Sequence, residues 1–229
     1  MQHSYFLFYF VFQSTFIMTS SDYLEDIREI RNLMNKSSRF ISLSGLSGIM
    51  AGIYALVGAW FAHGELIKAY GKQRNLYEEG TYVAGNDITI KLITIAAIVV
   101  FLAVVTGIIL TQRKARKNGE KIFDKSALKL LINFLIPLIT GGIFTLVLLQ
   151  KTAVGLVAPA TLIFYGLACV NASKYTLGHV KYLGYTNIIL GLISTQFVGY
   201  GLYFWAIGFG VFHIIYGGLM YILVERTAK

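Results

Sequence analysis

Six long apolar segments, separated by loops in which lysine and arginine cluster, constrain this chain more than any other feature. About 20 apolar residues of helix cross a hydrocarbon core of ~30 Å, so most of these segments are long enough to span a bilayer. We therefore predict an all-α membrane protein, a six-transmembrane-helix bundle. The predicted spans, numbered one to six in chain order, are Phe40–Ala62, Ile88–Leu110, Leu128–Leu149, Leu156–Ala172, Tyr182–Val198 and Tyr203–Val224.

The composition favours a membrane protein over a soluble domain. Of 229 residues, 56% are hydrophobic and 14% are charged, and soluble domains of this size carry more charge. The net charge of +9 could suggest nucleic acid. The basic residues, however, concentrate in loops predicted to share one side of a membrane, so we expect no nucleic-acid partner. Cys169 is the single cysteine, which excludes a disulfide within the chain and suggests a buried, inert thiol.

The distribution of lysine and arginine over the loops predicts the orientation. An excess near span ends marks the cytoplasmic face, so we predict both termini to be cytoplasmic. The Trp60, Tyr203 and Trp205 rings then fall at the outer interface, where aromatic rings are favoured. The cytoplasmic set is Arg28, Arg31, Lys36, Arg39, Arg113, Lys114, Arg116, Lys117, Lys121, Lys125, Lys129, Lys174, Lys181, Arg226 and Lys229. The outer set is Lys68, Lys72, Arg74, Lys91 and Lys151.

Two segments precede the membrane domain at 40–229. Residues 1–17 are apolar and aromatic but too short to span comfortably, and they lack the features of a secretory signal. We interpret them as a non-native extension ahead of a start at Met18, with an interfacial segment as the alternative. Residues 18–39 are predicted to form an amphipathic cytoplasmic helix, in which Asp22 and Glu25 resemble a capping box. This helix either docks a cytoplasmic protein partner or lies along the inner leaflet. Its apolar stripe is Leu24, Ile27, Ile30 and Met34.

Small residues recur at spacings of three and four along span one. Lipid tails are as apolar as leucine, so helices in membranes associate through close backbone approach and van der Waals contact. The predicted helix-packing face should therefore lie against another span, or against a second copy in a homo-oligomer. It comprises Gly45, Gly48, Gly52, Ala55 and Ala59.

Few polar side chains lie at membrane depth, where such groups normally face the bundle interior. No Asp or Glu lies deep in a span, which argues against a carboxylate proton relay. His63 and Glu65 have no further ligands at metal spacing, so we predict neither a metal site nor a cofactor. The candidate intramembrane polar cluster is Asn133, Asn187, Gln196 and His213, with Tyr165 at a similar depth.

One short motif suggests chemistry. Gly45-Leu46-Ser47-Gly48 resembles the GxSG motif of rhomboid intramembrane serine proteases, which also have a six-span core and a catalytic histidine in a later span. A pair of Ser47 and His213 would suffice for nucleophilic catalysis. That family places its serine in the fourth span, whereas Ser47 lies in span one, and the residues after His213 depart from the family pattern. We therefore predict that the protein is not an enzyme, with an intramembrane serine protease as a remote alternative.

Two prolines suggest a transporter. Pro137 in span three and Pro159 early in span four interrupt helical patterns, with a harmless position in a first turn as the alternative for Pro159. Transporters use broken helices at the midplane to expose backbone to a substrate. Short matches are compatible with an inverted 3+3 repeat, with chance as the alternative. The matched segments are Ile139–Val147 with Ile215–Leu223, and Ile53–Leu56 with Phe164–Leu167.

Three stretches resemble a group of uncharacterised bacterial multi-pass inner-membrane proteins: Ile27–Arg31 with Ser37–Gly48, Gly199–Gly210, and His213–Gly217. The resemblance covers most of Asp22–Arg226. It implies a location in the bacterial inner (plasma) membrane, brings no assigned activity, and suggests that residues 1–17 are foreign to the pattern.

The prediction for function is a non-enzymatic integral membrane protein. It would act as a scaffold or regulator that contacts cytoplasmic partners through the helix at 22–39 and the loop at 112–127. The alternative is a small-solute transporter with broken helices in spans three and four.

Overall fold

The computed structural model describes residues 27–28, 44–78, 86–117, 125–176 and 179–225. These ranges are predominantly helical and contain no strand. The chain divides into two compact units, Met1–Ser38 and Arg39–Lys229. In the first unit, Ile27 and Arg28 are helical and exposed. The predicted segment at 1–17 and the rest of the amphipathic helix lie outside the described residues.

The second unit is built from long apolar helices. α1 to α5 correspond to predicted spans one to five, and predicted span six alternates α-helical and π-helical turns; we call it the span-six helix. The bounds are α1 Gly45–Glu78, α2 Asn86–Lys117, α3 Lys125–Gln150, α4 Val157–Ala172 and α5 Val180–Ser194. The span-six helix consists of α6 Gly201–Trp205, π1 Ala206–Val211, α7 Phe212–Met220 and π2 Tyr221–Glu225. Two 3-10 turns, Val154–Leu156 and Ser173–Tyr175, flank α4.

Within the described residues, five helical stretches are long and apolar enough to cross a membrane. The multi-pass, all-helical prediction is confirmed at this level. α5 has only 15 residues, which is ~22 Å of helix. Predicted span five extended to Val198, but residues 195–199 form turns and bends instead. The five candidate stretches are Gly45–Gly71, Asp87–Lys117, Lys125–Gln150, Val154–Tyr175 and Gly201–Leu223.

The helices pack as two groups around α1 and α4. α1 packs against α2 and the span-six helix, while α4 packs against α3, α5 and α6. The apolar windows of α2 and α3 are each only 6% buried, against 33% for those of α1 and α4. Most residues of α2 and α3 are therefore exposed or half-buried, although these helices are apolar, which is the arrangement expected where lipid rather than water surrounds the molecule.

Polar contacts join α1 to α2 at two levels. The Tyr54 and Thr106 hydroxyl groups lie 3.2 Å apart. Near the other end, the Glu65 carboxylate lies 2.7 Å from Lys68 Nζ and 3.3 Å from Lys91 Nζ. Lys91 also lies 3.3 Å from the Asp87 carboxylate. Because Lys91 belongs to α2, the charged network connects the two helices where they approach the boundary of the apolar region.

Two sequence expectations differ from the structure. α3 continues as one helix through Pro137, and α4 carries Pro159 as its third residue, in a first turn where proline fits. The break predicted at Pro137 in span three is therefore not present, and Pro159 in span four has the first-turn position that the sequence offered as its alternative. The predicted loop at 112–127 is also shorter, because α2 extends to Lys117 and α3 begins at Lys125.

Candidate polar and glycine-packed site in the helix bundle

The small-residue face of α1 lies against the span-six helix. A β-carbon at Gly45 would lie 2.6 Å from the Gly217 carbonyl oxygen, and one at Gly52 would lie 2.6 Å from the Gly210 carbonyl oxygen. The corresponding distance from Gly48 to Gly217 Cα is 3.2 Å. These distances leave no room for a side chain, so the backbones are in direct contact. Ala55 and Ala59 on the same helix are 2% and 7% exposed.

A second close crossing, which was not predicted from the sequence, joins α4 to α5. A β-carbon at Gly166 would lie 2.6 Å from the Gly184 carbonyl oxygen, and one at Gly184 would lie 2.7 Å from the Gly166 carbonyl oxygen. Further along, a β-carbon at Gly191 would lie 3.0 Å from the Pro159 carbonyl oxygen. The available signal was the shared spacing of seven residues, from Pro159 to Gly166 on α4 and from Gly184 to Gly191 on α5.

His213 makes a hydrogen-bonded pair with Tyr165 inside the bundle. His213 is 7% exposed. Its Nδ1 lies 3.0 Å from the Gly208 carbonyl oxygen. A carbonyl only accepts, so Nδ1 donates, and in the neutral ring Nε2 accepts from the Tyr165 hydroxyl at 2.6 Å. Tyr165 lies on α4 and His213 on α7, so this pair joins the two halves of the packing.

Gly208 connects His213 to the second buried member of the predicted cluster, Asn187. Asn187 is fully buried on α5, and its Nδ2 donates to the Leu183 carbonyl oxygen at 2.9 Å. Its Oδ1 has no hydrogen-bond partner among the described residues. A β-carbon at Gly208 would lie 2.6 Å from this Oδ1. The amide oxygen therefore faces the Gly208 α-carbon, an arrangement that allows a weak Cα–H···O contact.

The backbone around this site departs from the α-helix. Residues Ala206–Val211 form π1, and the Phe212 amide donates to the Ile207 carbonyl oxygen, five residues back. A π segment accommodates one extra residue in a helix and is frequent at functional sites. Here it surrounds Gly208, whose carbonyl oxygen accepts from His213 and whose missing side chain leaves room for the Asn187 amide oxygen.

Asn133 lies apart from that pair, on α3, and marks the position of Pro137. Proline has no amide hydrogen, so the carbonyl four residues earlier, that of Asn133, loses its helical donor. The Asn171 side chain of α4 donates to this carbonyl oxygen at 2.9 Å. The Asn133 amide itself donates back to the Lys129 carbonyl oxygen at 2.8 Å. Asn133 and Pro137 were predicted as separate features, and Asn171, near the end of span four, was not among the predicted polar residues.

Gln196 also lies apart from His213. It occupies the turns after α5, is exposed, and its Nε2 donates to the Thr195 hydroxyl oxygen at 3.1 Å. The structure therefore brings together two of the four predicted polar residues, His213 and Asn187, through Gly208. Tyr165 completes this group. The buried Ser194 and Tyr216 hydroxyl groups have no hydrogen-bond partner within the described ranges.

The geometry of Ser47 bears on the protease motif. Its hydroxyl donates to the Ser44 carbonyl oxygen, and the two ring nitrogens of His213 are occupied by Gly208 and Tyr165. Ser47 and His213 are therefore not arranged as a nucleophile and its base, which requires a hydrogen bond between them. Over the described part of the chain, no group of three or more His, Cys, Asp or Glu residues could hold a metal ion.

Comparison with known proteins returns no family model, no curated protein and no solved structure that matches this chain.

Proposed function

We propose that this protein is a six-span integral membrane protein of the bacterial inner membrane that acts, without covalent chemistry, as a scaffold or regulator. The observation that supports the proposal best is the direct backbone packing at Gly45–Gly217, Gly52–Gly210 and Gly166–Gly184. Such contacts hold helices at a fixed separation because no flexible side chain lies between them. A rigid frame of this kind suits a protein that presents its cytoplasmic segments to partners.

The sixth crossing is proposed from the position of α5. Gly184 and Gly191 of α5 contact Gly166 and Pro159 of α4, so the two helices run antiparallel along most of α4. α4 belongs to one of the five stretches long enough to cross a membrane. A helix that follows it over this distance reaches nearly the same depth, and the turns at 195–200 supply the remaining length. Six crossings leave both termini on one side, which the distribution of lysine and arginine assigns to the cytoplasm.

A deletion tests the scaffold function. Removing residues 22–35 takes away the predicted amphipathic helix and leaves the membrane domain whole. Proteins that co-purify with the full chain in native mass spectrometry, from gently solubilised membranes, should be lost from this variant. Deletion of residues 1–17 is the control of similar size and should leave them bound. Retention of every partner after the 22–35 deletion would exclude the scaffold role proposed for that helix.

A small-solute transporter is the second candidate, and the packing order favours it. α1 contacts α2 and the span-six helix, while α4 contacts α5, α3 and α6. The contact between α4 and α6 falls outside the following relation. Exchanging span one with four, two with five and three with six converts the contacts of α1 into those of α4 with α5 and α3. This is the pairing expected of an inverted 3+3 repeat, a common plan among transporters. The π1 segment beside Tyr165 and His213 would then replace the predicted breaks in spans three and four as the site of substrate contact.

One substitution distinguishes the two candidates. Tyr165→Phe removes the hydroxyl bonded to His213 and keeps the ring. In native mass spectrometry a transporter should retain a small solute in the 22–35 deletion and lose it in Tyr165→Phe. A scaffold should lose its protein partners in the 22–35 deletion and keep them in Tyr165→Phe. Tyr203→Phe, with an exposed hydroxyl-bearing ring, is the matched control.

A further inference from the structure

An open groove runs along the outer side of the contact between α3 and α4. It has a volume of about 390 Å³ and is lined by Pro137, Thr140, Phe164, Leu167, Val170, Asn171 and Lys174. Two of the polar groups in its wall are already bonded. The Thr140 hydroxyl donates to the Ile136 carbonyl oxygen, and the Asn171 amide donates to the Asn133 carbonyl oxygen. The groove therefore offers a mainly apolar surface along most of its length.

Positive charge is concentrated at one end of this groove. Lys174 lines the groove itself and is exposed. The 3-10 turn that carries it, Ser173–Tyr175, packs against α3. Asn133 of α3 is hydrogen-bonded to Asn171 of α4, and the two helices are antiparallel. The position one turn before Asn133 therefore lies at the same height along the helices as Lys174, about one turn after Asn171. That position is Lys129, which is also exposed.

These two lysines are available to bind an anion. Ion pairs among the described residues involve Lys68 and Lys91 at the other end of the molecule, and neither Lys129 nor Lys174 pairs with a carboxylate of that part of the chain. Two ammonium groups at the mouth of an apolar groove match the shape of a phospholipid, with a charged headgroup at the boundary and an acyl chain in the groove.

We propose that the groove between α3 and α4 binds one anionic phospholipid of the cytoplasmic leaflet. The headgroup phosphate contacts Lys129 and Lys174, and one acyl chain lies along Pro137, Phe164 and Leu167. The assignment to the cytoplasmic leaflet rests on the proposed topology, in which the end of α4 that carries Lys174 faces the cytoplasm. Anionic lipids of that leaflet attract basic residues close to the membrane surface.

The test measures lipid binding to the full-length chain in mild detergent by native mass spectrometry. The probes are phosphatidylglycerol and phosphatidylcholine with identical acyl chains. Phosphatidylglycerol should bind more tightly to the wild type. Each basic residue near a membrane surface contributes on the order of 1 kcal/mol, so the double variant Lys129→Gln/Lys174→Gln should bind phosphatidylglycerol about 30-fold more weakly. Lys151→Gln, at the opposite end of α3, is the matched control and should leave binding unchanged.

A second variant tests the acyl-chain contact. Thr140→Phe fills the groove without changing charge and should reduce the binding of both lipids. Equal affinity of the wild type for the two lipids would overturn the proposal, as would an effect of Lys151→Gln equal to that of the double variant. Tight binding of glycerol phosphate, which has no acyl chain, would overturn the assignment to a lipid. The lipid-free melting temperature of each variant confirms that it is folded.

The topology can fail independently of the lipid site. Carbonate extraction of the wild-type protein tests whether the chain is integral, and labelling of Lys117→Cys by a membrane-impermeant reagent outside intact cells tests its orientation. The relative affinities for the two lipids test the groove. An integral protein with no preference for phosphatidylglycerol would contradict the lipid site alone.

Discussion

At the scale of single residues, glycine decides how closely these helices approach. Gly166 faces the Gly184 carbonyl oxygen so closely that a β-carbon would lie 2.6 Å away. This carbonyl oxygen belongs to the backbone, so the clash with a β-carbon could be removed only by moving a whole helix. Gly142 on α3 is a natural comparison, since a β-carbon there would meet nothing within 4 Å.

Gly166→Ala should therefore destabilise the fold and Gly142→Ala should not. Overpacking in a tight interior costs about 1–3 kcal/mol, whereas replacing an open helical glycine by alanine gains up to ~1 kcal/mol. Thermal unfolding of both variants in detergent measures the difference. Equal melting temperatures for the two variants would contradict direct backbone contact between α4 and α5.

A second prediction at this scale concerns the proline in α3. Asn171→Leu removes the donor that serves the Asn133 carbonyl and should cost about 0.6 kcal/mol, the average for hydrogen bonds between membrane helices, and at most ~1.7 kcal/mol. Pro137→Ala restores a backbone donor to the same carbonyl. In the Pro137→Ala background, Asn171→Leu should thus cost markedly less. A double-mutant cycle from equilibrium unfolding measures this coupling, and strictly additive effects would show that Asn171 does not compensate for the proline.

At the scale of elements, the π-helical turn in span six sets the angular register of two contacts. His63 packs edge-on to the Tyr203 ring before π1, at 5.8 Å between centroids, and Gly45 contacts Gly217 after it. Each residue of an α-helix turns the chain by about 100°. The extra residue in the π segment changes the rotation between its two flanks, and Tyr203 and Gly217 can therefore both face α1.

Deletion of Ile207 from π1 should separate these contacts. It rotates one flank of the span-six helix against the other, so either the Tyr203 side or the Gly217 side must leave α1. We expect a loss of more than ~3 kcal/mol of stability, which is larger than most single substitutions cause. Deletion of Val198, 68% exposed in the turns before α6, is the control. Equal melting temperatures for the two deletions would show that π1 has no role in this register.

The sequence anticipated individual elements unevenly, for reasons visible in particular residues. Long apolar runs marked α1 to α4 and the span-six helix, because length and hydropathy are properties of a single segment. Predicted span five is longer than α5 at its end, because Phe197 and Val198 are apolar yet lie in turns and bends. A break was expected at Pro137, but a side chain from another helix, Asn171, supplies the missing donor. No local pattern contains that information.

At the scale of the whole molecule, the proposed topology depends on α5 crossing the membrane. In a variant with Cys169 replaced by alanine, single cysteines at Lys181 and Gln196 flank α5. If α5 crosses, a membrane-impermeant thiol reagent added outside intact cells should label Gln196→Cys and not Lys181→Cys. Lys151→Cys is the external control and Lys117→Cys the internal one. Labelling of both flanking positions, or of Lys117→Cys, would contradict the proposed topology.

The amino-acid sequence alone determined that this chain is suited to a membrane and that its fold is all-α. Both properties depend on the length of each apolar segment and on the positions of the charged residues between segments. Each can be read from one segment at a time, without knowing which helices are neighbours. Only tertiary structure decided which polar residues meet. His213 is hydrogen-bonded to Tyr165 and Asn187 lies against Gly208, whereas Asn133 and Gln196 lie elsewhere in the bundle. Such pairings depend on which helix lies beside which and at what rotation, and these are set by the backbone contacts of glycines far apart in the chain.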